Sequence, residues 1–368
     1  MRVYFVTNRN YQPGQAQAFG KTFNPDGVGA LRFGHADFDG APGDPQLGQL
    51  FVYPDVKGET DITLTGGGQF MEDLRQAMTT GARSDTLVFI HGFNVDFNGA
   101  LQAGALLAEE VSVGGRTINV VVFSWPSDGE AVPWLSYYSD RSDAAASAPA
   151  LARAYLKLKA YLLSLPPEAY CLQCVHLMAH SMGAFVLRNG LQELLTKYPQ
   201  DVARAFDQIL LAAPDEDDDA FERTDKLAQL PKLGRQVTVY FNPNDKALLI
   251  SDTTKANPDR LGSDGPRLVD LIPKKVVLVD CRNVAGDANP TIEHSYYVRS
   301  QAMSDDISAV LGDEAPDKID NREYVDRLRA YRIIGEPGIR NVAVRSTAPG
   351  PPPPAPPASL AAELVPTP

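Results

Sequence analysis

The chain has 368 residues, with 34 Lys and Arg against 46 Asp and Glu, and its net charge of -12 excludes the basic face a nucleic-acid partner would need. At 44% hydrophobic and 22% charged it can bury a large core. The early apolar run Val3–Val6 is too short for a secretory leader and no stretch approaches the roughly 20 apolar residues of a membrane span, so a cytoplasmic protein without stable membrane insertion is expected.

Val3–Thr7 reads as a first strand, followed by a polar, Gly- and Pro-punctuated stretch through Asp44. Leu31–Gly34 and Leu50–Tyr53 read as short strands. Residues 1–84 are expected to form N-terminal strands and an extension laid against a sheet edge, with His35 at the surface. Phe70, Leu74 and Met78 have helical spacing, and Gly81 supplies a stop. Thr86–Ile90 is a continuous apolar strand running into His91-Gly92-Phe93-Asn94, a loop suited to bring a backbone N–H, that of Phe93, to a developing oxyanion. His91 precedes any nucleophile downstream and reads as a loop-orienting residue rather than a base. Asn98–Ser112 reads as a helix. Ile118–Phe123 is the next strand and closes in Ser124-Trp125-Pro126-Ser127. Trp134, Tyr137 and Tyr138 then fall on loop-like sequence. With Trp125 and His91 these aromatics either line a substrate pocket or cap the core. Leu151–Leu165 is a periodic helix stopped by Pro166 and Pro167. Cys171, Cys174 and Cys281 leave an odd thiol and read as buried thiols rather than disulfide or metal ligands.

Val175–His180 is a buried strand that turns over Ser181 and continues as an amphipathic helix. Small residues stand two before and two after the serine, at Ala179 and Gly183, where a sharp strand-to-helix turn leaves little room. The Met182 amide, at the positive end of the helix dipole, is the second candidate oxyanion donor. Gln208–Ala212 is another core strand, and the acidic run Asp215–Asp219 after it reads as the cap of a helix N-terminus. Gln236–Phe241 precedes Asp245, on a loop from which a carboxylate can reach a histidine. Lys275–Asp280 reads as the last strand. Of the five histidines only His294 comes after both serine and acid, giving the chain order Ser, Asp, His. Asp215 and Asp217 are the alternative acids. Residues 313–346 are expected to be a helical or irregular extension, and residues 347–368 a Pro-rich flexible tail.

Strands alternating with helices predict an α/β protein: a mostly parallel central sheet with helices on both faces, its catalytic core over residues 85–312 and its site at the carboxyl edge of the strands. No cofactor is called for, and no metal-ligand spacing is present. Nothing in the residue pattern bears on oligomeric state.

The stretches Thr7-Asn8-Arg9, His91-Gly92-Phe93-Asn94, Phe123-Ser124-Trp125-Pro126-Ser127, Ala179-His180-Ser181-Met182-Gly183, Ala213-Pro214-Asp215, Asp245 with Ala247-Leu248, Arg260-Leu261-Gly262 and His294-Ser295-Tyr296 together resemble the α/β-hydrolase superfamily, and within it a domain-of-unknown-function group. The resemblance spans about Met1 to Gly312. It implies an α/β-hydrolase fold with Ser181 as nucleophile, His294 as base and Asp245 as orienting acid. The activity expected is hydrolysis of small, uncharged, partly apolar carboxylic esters through an acyl-enzyme. Thioesterase, amidase or peptidase chemistry, or a non-catalytic binding role, are the alternatives on the same fold.

Overall fold

A computed structural model describes residues 1–334, except 16, 55–60, 62–63, 81–84, 128–132, 167–168, 170–172, 246–247, 249–258 and 285–293. Gly81, Cys171 and the tail over 347–368 fall outside the described residues, as do the side chains of 133–136 and therefore that of Trp134.

The strands are β1 (Arg2–Thr7), β2 (Arg9–Tyr11), β3 (Phe19–Phe23), β4 (Arg32–Ala41), β5 (Asp44–Val52), β6 (Thr86–Ile90), β7 (Ser112–Val113), β8 (Arg116–Thr117), β9 (Asn119–Ser124), β10 (Val175–His180), β11 (Gln208–Ala212), β12 (Gln236–Phe241), β13 (Val276–Asp280), β14 (Arg322–Val325) and β15 (Ala330–Ile333). The longer helices are α1 (Gly66–Thr80), α2 (Phe97–Glu110), α3 (Pro133–Ala146), α4 (Ala148–Ser164), α5 (Gly183–Lys197) and α6 (Gln301–Leu311). One large sheet takes the order β14-β15-β13-β12-β11-β10-β6-β9-β1-β4-β5. Every pair from β15 across to β1 is parallel, whereas β4, β5 and β14 join antiparallel.

Successive residues of the parallel strands point to opposite faces, and both faces are buried. Tyr4, Val6, Val121, Phe123, Leu177, Ala179, Ile209 and Leu211 meet α1, α4 and α5 on one side. Val3, Phe5, Val120, Val122, Met178 and Leu210 meet α2 and α6 on the other. This double burial is why the strands read as unbroken apolar runs.

Four expectations change. The N-terminal segment is not an appendage, because β1 lies inside the sheet, paired with β9 and β4. The β4–β5 hairpin is longer than the short strands read from sequence, since its outer half is polar and solvent-facing. The segment carrying Trp134, Tyr137 and Tyr138 is helical, starting at Pro133, which is preorganised for a first helical turn. Asp280 does not end the sheet: β15 adds parallel to β13 and β14 closes a hairpin beside it. The exposed residues of that hairpin, Glu323 and Tyr324 among them, hide the alternation.

Candidate active site

Parallel strands all end at one edge, and that is where the candidate side chains gather. Ser181 follows β10 with φ of 53°, a left-handed conformation that a side-chain-bearing residue holds only when its surroundings fix it. Its N–H donates to Ala212 O at 3.0 Å, and its carbonyl accepts from Ala184 N and Asp215 N, both at 3.0 Å. Gly183 is required next to it, because a Cβ there would lie 2.4 Å from Ile90 O and 2.8 Å from His91 O. Helix α5 can thus start hard against the end of β6, leaving the Met182 amide ahead of the first intrahelical bond. Asn94 (φ 56°) and Ala213 (φ 44°) are two further left-handed residues at the same edge.

The turn after β12 places a buried Asp245, whose carboxylate accepts from His294 Nδ1 at 2.8 Å. Since a carboxylate can only accept, Nδ1 carries the proton and Nε2 is left with its lone pair. His294, Ser181, Gly92 and Phe93 line one cleft of about 450 Å³. A Cβ on Gly92 would come within 3.0 Å of Ser181 Cβ, so the loop after β6 touches the serine turn directly. Asp215 and Asp217 are committed elsewhere. Asp215 accepts from Tyr137 Oη at 2.8 Å and lies 3.7 Å from Arg260 Nε. Asp217 pairs with Lys226 at 2.7 Å and also with Arg260. The acidic run therefore forms an ion-pair network, with Glu216 joined to Arg188 at 3.0 Å, rather than a helix cap. The residues after β11 form turns, not a helix.

Among the aromatics, Trp125 is fully buried and does not line the cleft. Its Nε1 donates to His91 O at 2.9 Å and its ring stacks on His91 at 5.2 Å. Tyr137 is buried edge-on to Phe93, while Tyr138 is 58% exposed. His91 lines the cleft but its nitrogens are spoken for: Nδ1 donates to Gly92 O at 2.8 Å, leaving Nε2 to accept from Ser124 Oγ at 3.4 Å.

Three groups at this edge escape a pattern-based reading. His180 packs against His294 and Tyr297, with ring centroids 4.7 and 4.2 Å away, and its Nε2 donates to the His294 carbonyl at 3.1 Å. Buried Arg9 donates to Ser124 Oγ at 2.9 Å, Ser127 O at 3.1 Å, Val95 O at 2.8 Å and Gly20 O at 3.3 Å. Asp140 accepts from Asn94 N at 2.7 Å and Ser127 Oγ at 2.5 Å. Arg9 and Asp140 thereby tie three separated motifs, Thr7-Asn8-Arg9, His91-Gly92-Phe93-Asn94 and Phe123-Ser124-Trp125-Pro126-Ser127, into one buried network. Arg9 and His180 stand in the sequence as polar residues at strand ends, whereas Asp140 lies on α3, whose sequence reads as a loop.

Burial, and then the Arg9 charge, push the His91 pKa down to about 3. Burial and neighbouring His294 lower that of His180 as well. An unfolded histidine titrates near 6.5. Between that pH and 3 the unfolded chain binds protons that folded His91 refuses, so acid favours unfolding. Stability is expected to fall as pH drops below about 6.5, by up to about 1.4 kcal/mol per pH unit per buried histidine. Urea unfolding at pH 7 and pH 5 checks this: His91→Gln should flatten the dependence, and equal wild-type midpoints would refute it.

Among the described residues no group of three His, Cys, Asp or Glu is placed to hold a metal, and no helix is long and apolar enough to cross a membrane. Fold and site together define an α/β hydrolase. The chain belongs to the family described as alpha/beta hydrolase of unknown function (DUF900), which matches residues 68–313. An uncharacterized protein of Nostoc sp. is 29% identical over 165 residues, 38% of this chain and 40% of that relative, so the match spans less than half of the relative's length. Among solved structures, an inhibited esterase B from Lactobacillus rhamnosis is similar at 15% identity and TM-score 0.31, covering 66% of this chain and 74% of that one. Acetyl xylan esterase 1 from a Thermoanaerobacterium species is similar at 11% identity and TM-score 0.30, covering 75% and 80%.

Proposed function

We propose that the protein is a serine hydrolase that cleaves carboxylic esters through an acyl-enzyme. The observation that carries this is the His294–Asp245 hydrogen bond at 2.8 Å in the cleft that also holds Ser181. Asp245 fixes the tautomer that leaves the lone pair on His294 Nε2, and that nitrogen accepts the Ser181 proton as Oγ attacks the ester carbonyl. Negative charge gathers on the carbonyl oxygen, where the Met182 and Phe93 amides stabilise it. The imidazolium returns its proton to the departing alcohol, and water activated by the same imidazole then releases the acid. His91, which makes two hydrogen bonds with its ring nitrogens and resists protonation, shapes the oxyanion loop and takes no proton.

A fluorophosphonate probe tests the reading. A covalent adduct on Ser181 in native protein, absent after denaturation and absent in His294→Ala, is expected. No adduct, with no turnover of p-nitrophenyl acetate, sinks it in favour of a binding role. Faster turnover of matched acyl-thioesters, amides or peptides than of esters would keep the triad and change the substrate.

A further inference from the structure

The space beside His294 belongs to the leaving group, because the imidazolium must hand its proton to the departing oxygen. Across that space stands α2. Asn98 and Gln102 are four residues apart on it, hence on one helical face, and both line the cleft together with Asn94. Among the described residues Gln102 Nε2 makes only a long 3.5 Å contact, with Pro45 O, weaker than an ordinary hydrogen bond. Primary amides offer donors and acceptors side by side, which hydroxyl groups, being both, satisfy in either direction. Asp96 and Arg299 put charges of both signs on the same lining, so neither an anionic nor a cationic ligand is favoured. Asp96 is also held in place, accepting from Gly99 N and Gln17 Nε2, both at 2.7 Å. Phe93 and Val298 supply apolar surface between these polar groups.

We infer that the leaving group is a cyclic polyhydroxylated alcohol, so that the substrate is an acylated sugar. Its hydroxyl edge meets Asn98 and Gln102, and its C–H face lies against Phe93 and Val298. This rests on the serine-esterase reading and narrows it. A cleft of about 450 Å³ is within the range of small-ligand sites. An alkyl leaving group of equal size would dry the amides without replacing their hydrogen bonds, and each such loss costs on the order of tenfold in kcat/KM.

The test compares two acetates with the same acyl group and similar rings, methyl 6-O-acetyl-glucopyranoside and cyclohexylmethyl acetate. The full chain is expected to prefer the sugar ester by roughly 30-fold or more in kcat/KM. The Asn98→Leu/Gln102→Leu double variant should bring that ratio below about threefold, its folding checked by circular dichroism. Equal or inverted preference in the unmodified protein overturns the inference, and so does a folded double variant that keeps the preference. If p-nitrophenyl acetate is still hydrolysed and Ser181 still labelled in those cases, the esterase reading survives. If no ester turns over and no label forms, both fall.

Discussion

Replacing either Ser181 or His294 with Ala is expected to lower kcat on any turned-over ester by about 10⁴-fold or more, and replacing both should cost little beyond either alone. The reason is mechanical: a hydroxyl without its base and a base without its hydroxyl are equally idle. Asp245→Asn should cost about 10³- to 10⁴-fold. An amide at that position can donate to Nδ1, which would favour the tautomer that places the proton on Nε2 and removes the base. Asp215→Asn is the informative contrast. Asp215 faces Arg260 and Tyr137, not His294, so its loss should lower stability while kcat stays within about tenfold of the parent. Steady-state kinetics on the five variants, alongside melting curves to remove unfolded protein from the comparison, gives the answer. An Asp245→Asn enzyme with near-normal kcat would overturn the assignment of the acid, and a Ser181→Ala enzyme with normal kcat would overturn the whole mechanism.

Much of this arrangement is visible in the sequence because parallel strands buried on both faces leave continuous apolar runs, and the residues just past each run must lie at one edge. Thr86–Ile90, Val175–His180, Gln208–Ala212 and Gln236–Phe241 are legible on that ground alone, and they carry Phe93, Ser181, Asp215 and Asp245 to the same rim. The outer half of the β4–β5 hairpin and the β14–β15 hairpin are illegible for the opposite reason. They form or extend the sheet's ends, and the solvent-facing outer half of β4–β5 and the exposed centre of β14 mix Gly, Asp, Gln and Glu through their strands, so no period survives. Helix α3 is masked by aromatic and polar residues that suit a loop equally well. Its side chains Tyr137 and Asp140 nonetheless reach the motif loops. Which carboxylate meets His294 is also a question of tertiary placement: three aspartates fall at the same rim, and only the ion pairs of Asp215 and Asp217 separate them from Asp245.

Arg9 shows how a residue with no place in the chemistry can govern it. Its guanidinium is buried and supplies hydrogen bonds to carbonyls of Val95, Ser127 and Gly20 and to Ser124 Oγ. Arg9→Ala removes all of these donors at once and opens a cavity where a large side chain stood. A buried acceptor left without a partner costs about 1–3 kcal/mol, less where water enters, and the cavity adds to that. A loss of about 4 kcal/mol is therefore expected, which lowers the melting temperature by roughly 10 °C in a domain of this size. Arg9→Lys should recover only part of it, since a single ammonium cannot span the directions a planar fork covers. Val95 comes directly after the Phe93–Asn94 turn, and its N–H is held by Ser127 Oγ at 3.1 Å, so loosening its carbonyl also frees the loop that presents the Phe93 amide. If the Phe93 amide is the oxyanion donor proposed above, the folded fraction of Arg9→Lys should show a reduced kcat with KM little changed, because such a donor acts on the transition state rather than on bound substrate. Thermal melts with kinetics below the transition measure both effects. An Arg9→Ala protein as stable as the parent would mean that the three motifs hold together without their shared cation, and an Arg9→Lys protein with unchanged kcat would detach the network from the oxyanion loop.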